Sequence, residues 1–184
     1  IQDIQSAGSD LFVRASDALY PYNLQDQSIY TYDKIKGLSD TDITIIRWCK
    51  QAKRLIVIYQ NTNIDLVDVS GNVTNISDIY QKALTGDKTI NNVIVNGQYA
   101  YLSCGFGVVK LNVKQAEVSE SYMLGFPITA VAIKDGTIYA QSKSQGVWAA
   151  SLSANLIDIA NWHQVASGYP SFDEDRTDYN QYIE

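Results

Sequence analysis

Apolar residues along the chain fall in short runs, RLIVIY (Arg54–Tyr59), QYAYLS (Gln98–Ser103) and TIYAQS (Thr137–Ser142) among them, punctuated by Gly, Asn, Asp and Lys. The runs are rich in β-branched and aromatic residues, which favours strands over helices. Each belongs to a longer unit that recurs. The segments beginning ITIIRWCKQAKRLIVIYQN at Ile43, INNVIVNGQYAYLSCGFG at Ile90 and ITAVAIKDGTIYAQSKSQG at Ile128 share one plan of strand, turn, strand, turn, strand. The first turns are Lys50 to Lys53, Asn96-Gly97 and Asp135-Gly136, and the last two are strong hairpin signals because both central residues need positive φ. The second turns are QNTN, CGFG and KSQG, in which Asn63, Gly107 and Gly146 take equivalent places and are expected in the left-handed conformation, and weaker polar strands around VTNIS, EVSESY and LIDIANW close the units.

Starts at Ile43, Ile90 and Ile128 are 47 and 38 residues apart, a period of about 40 with one insertion between Ser77 and Lys88. In that insertion Ser77 is expected to cap a short helical turn running to Leu84. A fourth, earlier unit is visible in IQDIQ, DLFVRA, ALYPYN and SIYTY. Four antiparallel strands per unit at this period mark a β-propeller blade. A sandwich should not repeat so regularly, and a solenoid repeats at a shorter interval. The expected fold is therefore all-β, a β-propeller segment of about four four-stranded antiparallel blades, either a closed four-bladed ring or an arc of a larger propeller. The blades are expected at residues 1–36, 37–84, 85–125 and 126–168, with 169–184 an acidic linker or tail. An arc would leave two sheet faces open to self-association.

Composition narrows the function. The chain is 46% hydrophobic and 18% charged, with 13 Tyr and a net charge of −6. Its last twelve residues hold Asp173, Glu174, Asp175, Asp178 and Glu184 against Arg176, five acids less one base, so −4 of that charge sits in the tail. No Lys/Arg stripe of the kind phosphate backbones need remains, which argues against nucleic acid. No apolar run is long enough to span a membrane as a helix. No Met-plus-basic start precedes an apolar stretch, so a signal peptide is not expected within this chain and the N-terminus reads as processed or trimmed.

Candidate chemistry is sparse. Cys49 and Cys104 fit no zinc spacing and are expected as buried free thiols. His163 is the only histidine, which excludes a metal site with two or more His ligands and points to a structural or surface role. Asp173, Asp175 and Asp178 lack the turn glycine and distal Glu of a calcium loop. The spacing of Asp65 and Asp68 leaves a glycosidase pair open, but three apart on one strand they point to opposite faces. The sequons Asn72-Val73-Thr74 and Asn75-Ile76-Ser77 read as turn and strand residues. Gly105-Phe106-Gly107 is followed by a strand, whereas a phosphate loop needs a following helix. No catalytic residue, cofactor or metal is expected. The aromatics Tyr59, Tyr99, Tyr101, Tyr139 and Trp148 should pack between sheets, the alternative being a sugar-binding face. Propeller geometry gathers the second-to-third-strand turns with the blade connections on one face, so Asp17, Thr62, Phe106 and Gln145 mark the expected partner or ligand face.

KGLSDTDITII (Lys36–Ile46) resembles the Gly-Leu-Ser-Asn/Asp opening of the regulatory propellers in periplasmic sensors of hybrid two-component systems. Together with NTNIDLV, NISDI, TGDKTINNV and AYLSCGFGVVKLN it more narrowly resembles the N-terminal propeller of PorZ-type components of the type IX secretion system, over roughly Ile1 to Val165. Where the regulatory repeat continues with Trp-Ile-Gly-Thr, this chain has LIVIYQN, which favours the secretion family. That resemblance implies an exported, non-enzymatic module at the periplasm or outer-membrane surface. It would work in the cell-surface attachment complex beside a sortase-like transpeptidase and anionic lipopolysaccharide or another glycan. The alternative is the oligosaccharide-sensing propeller of a hybrid regulator; an enzyme on a propeller ranks third. A clustered pair of carboxylates, or a carboxylate with Tyr and Arg, in a cleft would mark the enzyme.

Overall fold

The structure, a computed structural model, describes residues 1–15, 18–84 and 86–173. Four antiparallel sheets follow one another in chain order, each built from consecutive strands. Blade 1 contains β1 (Asp3–Ala7), β2 (Asp10–Ala15) and β3 (Ala18–Asn23); blade 2 contains β4 (Ile43–Cys49), β5 (Arg54–Tyr59), β6 (Ile64–Asp68) and β7 (Val73–Ile76). Blade 3 contains β8 (Ile90–Asn96), β9 (Tyr99–Cys104), β10 (Gly107–Asn112) and β11 (Glu117–Met123); blade 4 contains β12 (Ala130–Lys134), β13 (Thr137–Ser142), β14 (Gly146–Ser151) and β15 (His163–Val165).

Several local expectations shift. Blade 1 has three regular strands, and SIYTY adds only the isolated bridges Leu19↔Tyr32 and Tyr22↔Ile29 outside β3. In blade 4 the outer strand is His163–Val165, while LIDIANW forms a loop ending in a 3-10 turn at Ile159–Asn161, where the Asp158 carboxylate accepts from the Ala160 amide. The helix in the insertion, α1, covers only Asp78–Gln81. Ser77 makes no side-chain cap to it, its hydroxyl accepting instead from Gln81 Nε2 at 2.9 Å. Asp135-Gly136 forms the expected turn with φ of 49° and 74°. At the Asn-Gly site the paired ends are Asn96 and Tyr99, so Gly97-Gln98 occupies the turn and only Gly97 has positive φ.

The Gly-Phe-Gly stretch is a two-residue turn between β9 and β10, with Cys104 paired to Gly107. Gly107 adopts a φ of 147°, and a Cβ there would sit 2.0 Å from the Tyr122 carbonyl oxygen of the adjacent strand, so no side chain fits. In the sister turn of blade 2 the left-handed residue is Thr62, with φ 72°, and not Asn63. Asn61 explains the displacement: its side-chain oxygen accepts from the Asn63 amide at 3.0 Å and fixes the turn one residue earlier.

The core lies between the sheets, in three clusters, one per blade junction. Blade 2 shows how a strand serves two of them. Leu55, Val57 and Tyr59 point toward blade 1, and Ile56 and Ile58 toward blade 3, which is why RLIVIY is apolar at every position after the arginine. Blade 3 divides similarly, with Ala100, Leu102 and Cys104 against blade 2 and Tyr101 against blade 4. In blade 4, Ile138 and Ala140 are buried against blade 3, while Thr137, Tyr139 and Gln141 on the other face are only half-buried.

The inner strands β1, β4, β8 and β12 pack against one another in that order, and polar clips reinforce the junctions. Arg14 donates to the Ile43 carbonyl at 2.8 Å, Arg47 to the Val93 carbonyl at 3.1 Å and Asn91 to the Ile128 carbonyl at 2.8 Å, each reaching from one blade to the next. Among the described residues β12 has no comparable packing against β1, so the four blades form an arc and not a closed ring. Sheet faces left uncovered by a neighbour favour association. Light scattering of the isolated chain should therefore show a concentration-dependent dimer or larger species; a strict monomer at about 100 μM, well above typical interface dissociation constants, would contradict it.

Candidate functional site

The connections between blades and the turns between second and third strands gather on one face. Asp33–Asp42 leads into β4, Ser77–Thr89 into β8 and Leu124–Thr129 into β12. Each is tied to a neighbouring turn or strand end by backbone bonds: Gln60 to the Asp42 carbonyl at 3.0 Å, Gly105 to the Thr89 carbonyl at 3.0 Å and Gly125 to the Phe106 carbonyl at 3.2 Å.

The first connection carries the Gly-Leu-Ser-Asp motif, and its residues have separate tasks. Gly37, at φ 118°, ends a 3-10 turn over Lys34–Lys36 that begins at an Asp33 cap. Leu38 then inserts into the junction between blades 1 and 2. The Ser39 amide donates to Asp65 Oδ2 at 2.7 Å. Asp65 is wholly buried in β6 and also accepts from Tyr59 Oη at 2.6 Å and from Asn75 Nδ2 at 2.9 Å. One carboxylate thus joins the connection to β5, β6 and β7. Burial, then the Asp65 carboxylate beside it, raise the Tyr59 phenol above its ordinary value, so it remains a donor. Asp68 lies on the opposite side of the strand at its far end, as the alternation requires.

Beside this buried carboxylate, a notch of about 220 Å³ is lined by Asp40, Thr41, Asp42, Gln60 and Asn61. Asp40 accepts from Asn61 Nδ2 and from the Thr41 amide and faces Lys34 at 3.8 Å. Partial burial works against its charge, but these partners hold its carboxyl below the usual value.

The sequence-derived face is only partly a surface. Asp17 lies outside the described residues. Thr62 is buried, and its Oγ1 has no hydrogen-bond partner among the described residues. Phe106 is buried in the core between blades 2 and 3, with Lys82 Nζ 5.9 Å from its ring centroid. Gln145 is exposed, and its carbonyl accepts from Trp148 Nε1 at 3.1 Å and Gln164 Nε2 at 2.8 Å. Thr62, Phe106 and Gln145 do not line a common pocket. Tyr59 and Tyr101 are buried between sheets, whereas Tyr99, Tyr139 and Trp148 are half-buried.

The described residues do place carboxylates together in recesses, Asp40 with Asp42 in the notch and Asp10, Asp26 and Asp68 in a groove at the seam of blades 1 and 2. Burial, with Asp87 nearby, pushes the Cys104 thiol up to about 12, which leaves almost no thiolate at neutral pH. His163 is exposed on β15, and among the described residues no three His, Cys, Asp or Glu side chains converge to hold a metal. The acidic residues after Asp173 lie outside the described residues. Sequence reasoning overlooked Asp65 as an organiser; the signal was an aspartate flanked by Ile64 and Leu66 in an apolar run. The clips of Arg14, Arg47 and Asn91 carry no such local signature.

Comparison with known proteins adds three findings. A family model described as the PorZ N-terminal β-propeller domain of the type IX secretion system matches residues 11–163. No curated protein sequence matches. Among solved structures, PorZ, described as an essential bacterial surface component of the type IX secretion system of Porphyromonas gingivalis, superposes with a TM-score of 0.83 at 30% identity over 90% of this chain. The chain spans 22% of that protein's length. The extracellular domains of two B. thetaiotaomicron proteins also match. BT4673 gives a TM-score of 0.67 at 16% identity, covering 90% of this chain and 22% of that one. BT3049, a hybrid two-component system protein, gives 0.64 at 12% identity, covering 95% and 23%. At such identities the last two share the fold alone.

If Asp65 organises this face, Asp65→Asn replaces one of the two acceptor oxygens that together serve three donors with an amide donor and should cost about 2–4 kcal/mol in urea unfolding, whereas Tyr59→Phe should cost about 1 kcal/mol. Equal, small effects from both substitutions would show that the carboxylate is not the organising group.

Proposed function

The chain belongs to the PorZ N-terminal β-propeller family, and on that premise we propose that it is a non-catalytic interaction module of an exported type IX secretion component. The observation carrying this reading is the family match across nearly all of the four-blade arc, together with the superposition on PorZ. In this reading the chain supplies consecutive blades of a larger propeller at the periplasm or outer-membrane surface. The complete protein acts in the attachment complex with a sortase-like partner and anionic lipopolysaccharide.

Two structural features support a larger ring. Blade 4 presents a half-buried face bearing Tyr139 and Gln141 where a further sheet would pack. Beyond β15 the chain turns back toward the inner strands, and the Asp173 carbonyl accepts from Asn92 Nδ2 on β8 at 2.5 Å. The preceding connections take the same outer-to-inner course. No helix among the described residues is long and apolar enough to cross a membrane. The oligosaccharide-sensor alternative rests on fold likeness at 16% and 12% identity, so the secretion reading takes precedence.

Removing the blades encoded here from the full-length protein in its native bacterium should leave secreted cargo unattached to the cell surface, detected by fractionation and immunoblotting against lipopolysaccharide-linked cargo. Normal attachment after the deletion would refute the role. Altered transcription of a polysaccharide-utilisation locus, with attachment intact, would instead favour the sensor.

A further inference from the structure

A groove of about 380 Å³ opens at the seam of blades 1 and 2, on the face opposite the blade connections. It lies among the turn between β1 and β2, the turn after β3 and the turn between β6 and β7. Phe12 and Val67, both buried in the junction, form its floor. Its walls and rim combine Tyr30, 61% exposed, and Val69, 63% exposed, with the Tyr32 ring. The Tyr32 wall is built into the fold. A Cβ at Gly71 would lie 1.9 Å from Tyr32 Oη, so the ring sits there only because residue 71 has no side chain.

Three carboxylates from three separate segments, Asp10, Asp26 and Asp68, surround these rings, and no Lys, Arg or His lines the groove. Asp68 accepts from Asn72 Nδ2 and from the Ser70 and Asn72 amides at 2.8–3.0 Å, and Asp26 accepts from the Ser28 hydroxyl and amide at 2.6 and 2.9 Å. These bonds hold both carboxyls below their usual values, so both are ionised at neutral pH. Asn23 Nδ2 donates to Asp10 Oδ1 at 2.7 Å, and both Ser28 donors reach Asp26 Oδ1. Arg54, the cross-strand partner of Asp68, adds a weaker charge attraction to it and donates to the Val113 carbonyl in the next junction.

We propose that this groove docks an extended segment of a protein partner through an Arg or Lys side chain, its cationic head set against the tyrosine rings and met by the carboxylates. Aromatic faces attract cations, and a recess lined by one sign of charge selects the opposite sign. An anionic glycan is disfavoured on the same ground. The inference reads only the groove's chemistry and stands apart from the type IX assignment.

The probe is acetyl-Gly-Arg-Gly-amide, titrated into the isotopically labelled chain and followed by amide NMR shifts. Shifts should be confined to residues around Asp10, Asp26–Tyr32 and Asp68–Gly71. Affinity should fall about tenfold on raising salt from about 20 to about 300 mM. It should fall comparably in Asp10→Asn/Asp26→Asn; should that variant fail to fold, the exposed Asp26→Asn alone and the salt series decide. Equal binding of the norleucine peptide, stronger shifts of the same residues by a neutral oligosaccharide, or no shifts at about 10 mM peptide would each overturn the proposal, the last because millimolar affinity is the floor for such a contact.

Discussion

A blade of this protein has no interior of its own, so each sheet depends on the sheet beside it. Every buried cluster in the arc joins side chains from two successive blades. Four blades in an open arc make three junctions, which explains the gradient of burial along the chain. The central runs in β5 and β9 are buried nearly throughout, while β13 alternates between half-buried and buried positions and β2 buries only Phe12. Apolar contact between sheets is the largest favourable contribution available to such a fold. Nearest-neighbour interfaces of this kind make repeat proteins quasi-one-dimensional in their energetics.

Polar groups then set how the blades sit on one another. Arg14, Arg47 and Asn91 each satisfy a backbone carbonyl of the next blade, and Asp65 fastens the incoming connection to three strands at once. The Gly-Leu-Ser-Asp opening thereby acquires a physical meaning. The glycine permits a left-handed turn, the leucine fills a junction, the serine amide meets a buried carboxylate and the aspartate organises the notch outside it. The Gly-Leu-Ser-Asp opening is, in this chain, a device for seating a blade.

Strands and repeat were legible because period-2 alternation and turn chemistry act locally. Asp135-Gly136 folds as its dipeptide dictates, and the core roles of Tyr59 and Tyr101 follow from their places on the second strands, β5 and β9. Errors arose where a side-chain contact overrode the backbone signal. Asn61 moved the left-handed residue to Thr62, Gln81 took the Ser77 hydroxyl, and the LIDIANW run gave way to a loop whose Trp162 packs back on Tyr122. The candidate face was less legible still. Phe106 stands in a turn yet is buried in the junction between blades 2 and 3, and the aromatic groove between blades 1 and 2 joins residues from distant segments. Neither circumstance leaves a pattern within one repeat.

The central claim is that stability resides in the junctions, so that blades flanked on both sides are held more firmly than those at the ends of the arc. Hydrogen exchange read by mass spectrometry on the native chain measures this directly, because protection reports the local opening free energy. The account predicts the slowest exchange in β5, β6, β9 and β10, with β2, β3, β13 and β14 opening first. Uniform protection across the four blades, or greatest protection in blade 4, would contradict it.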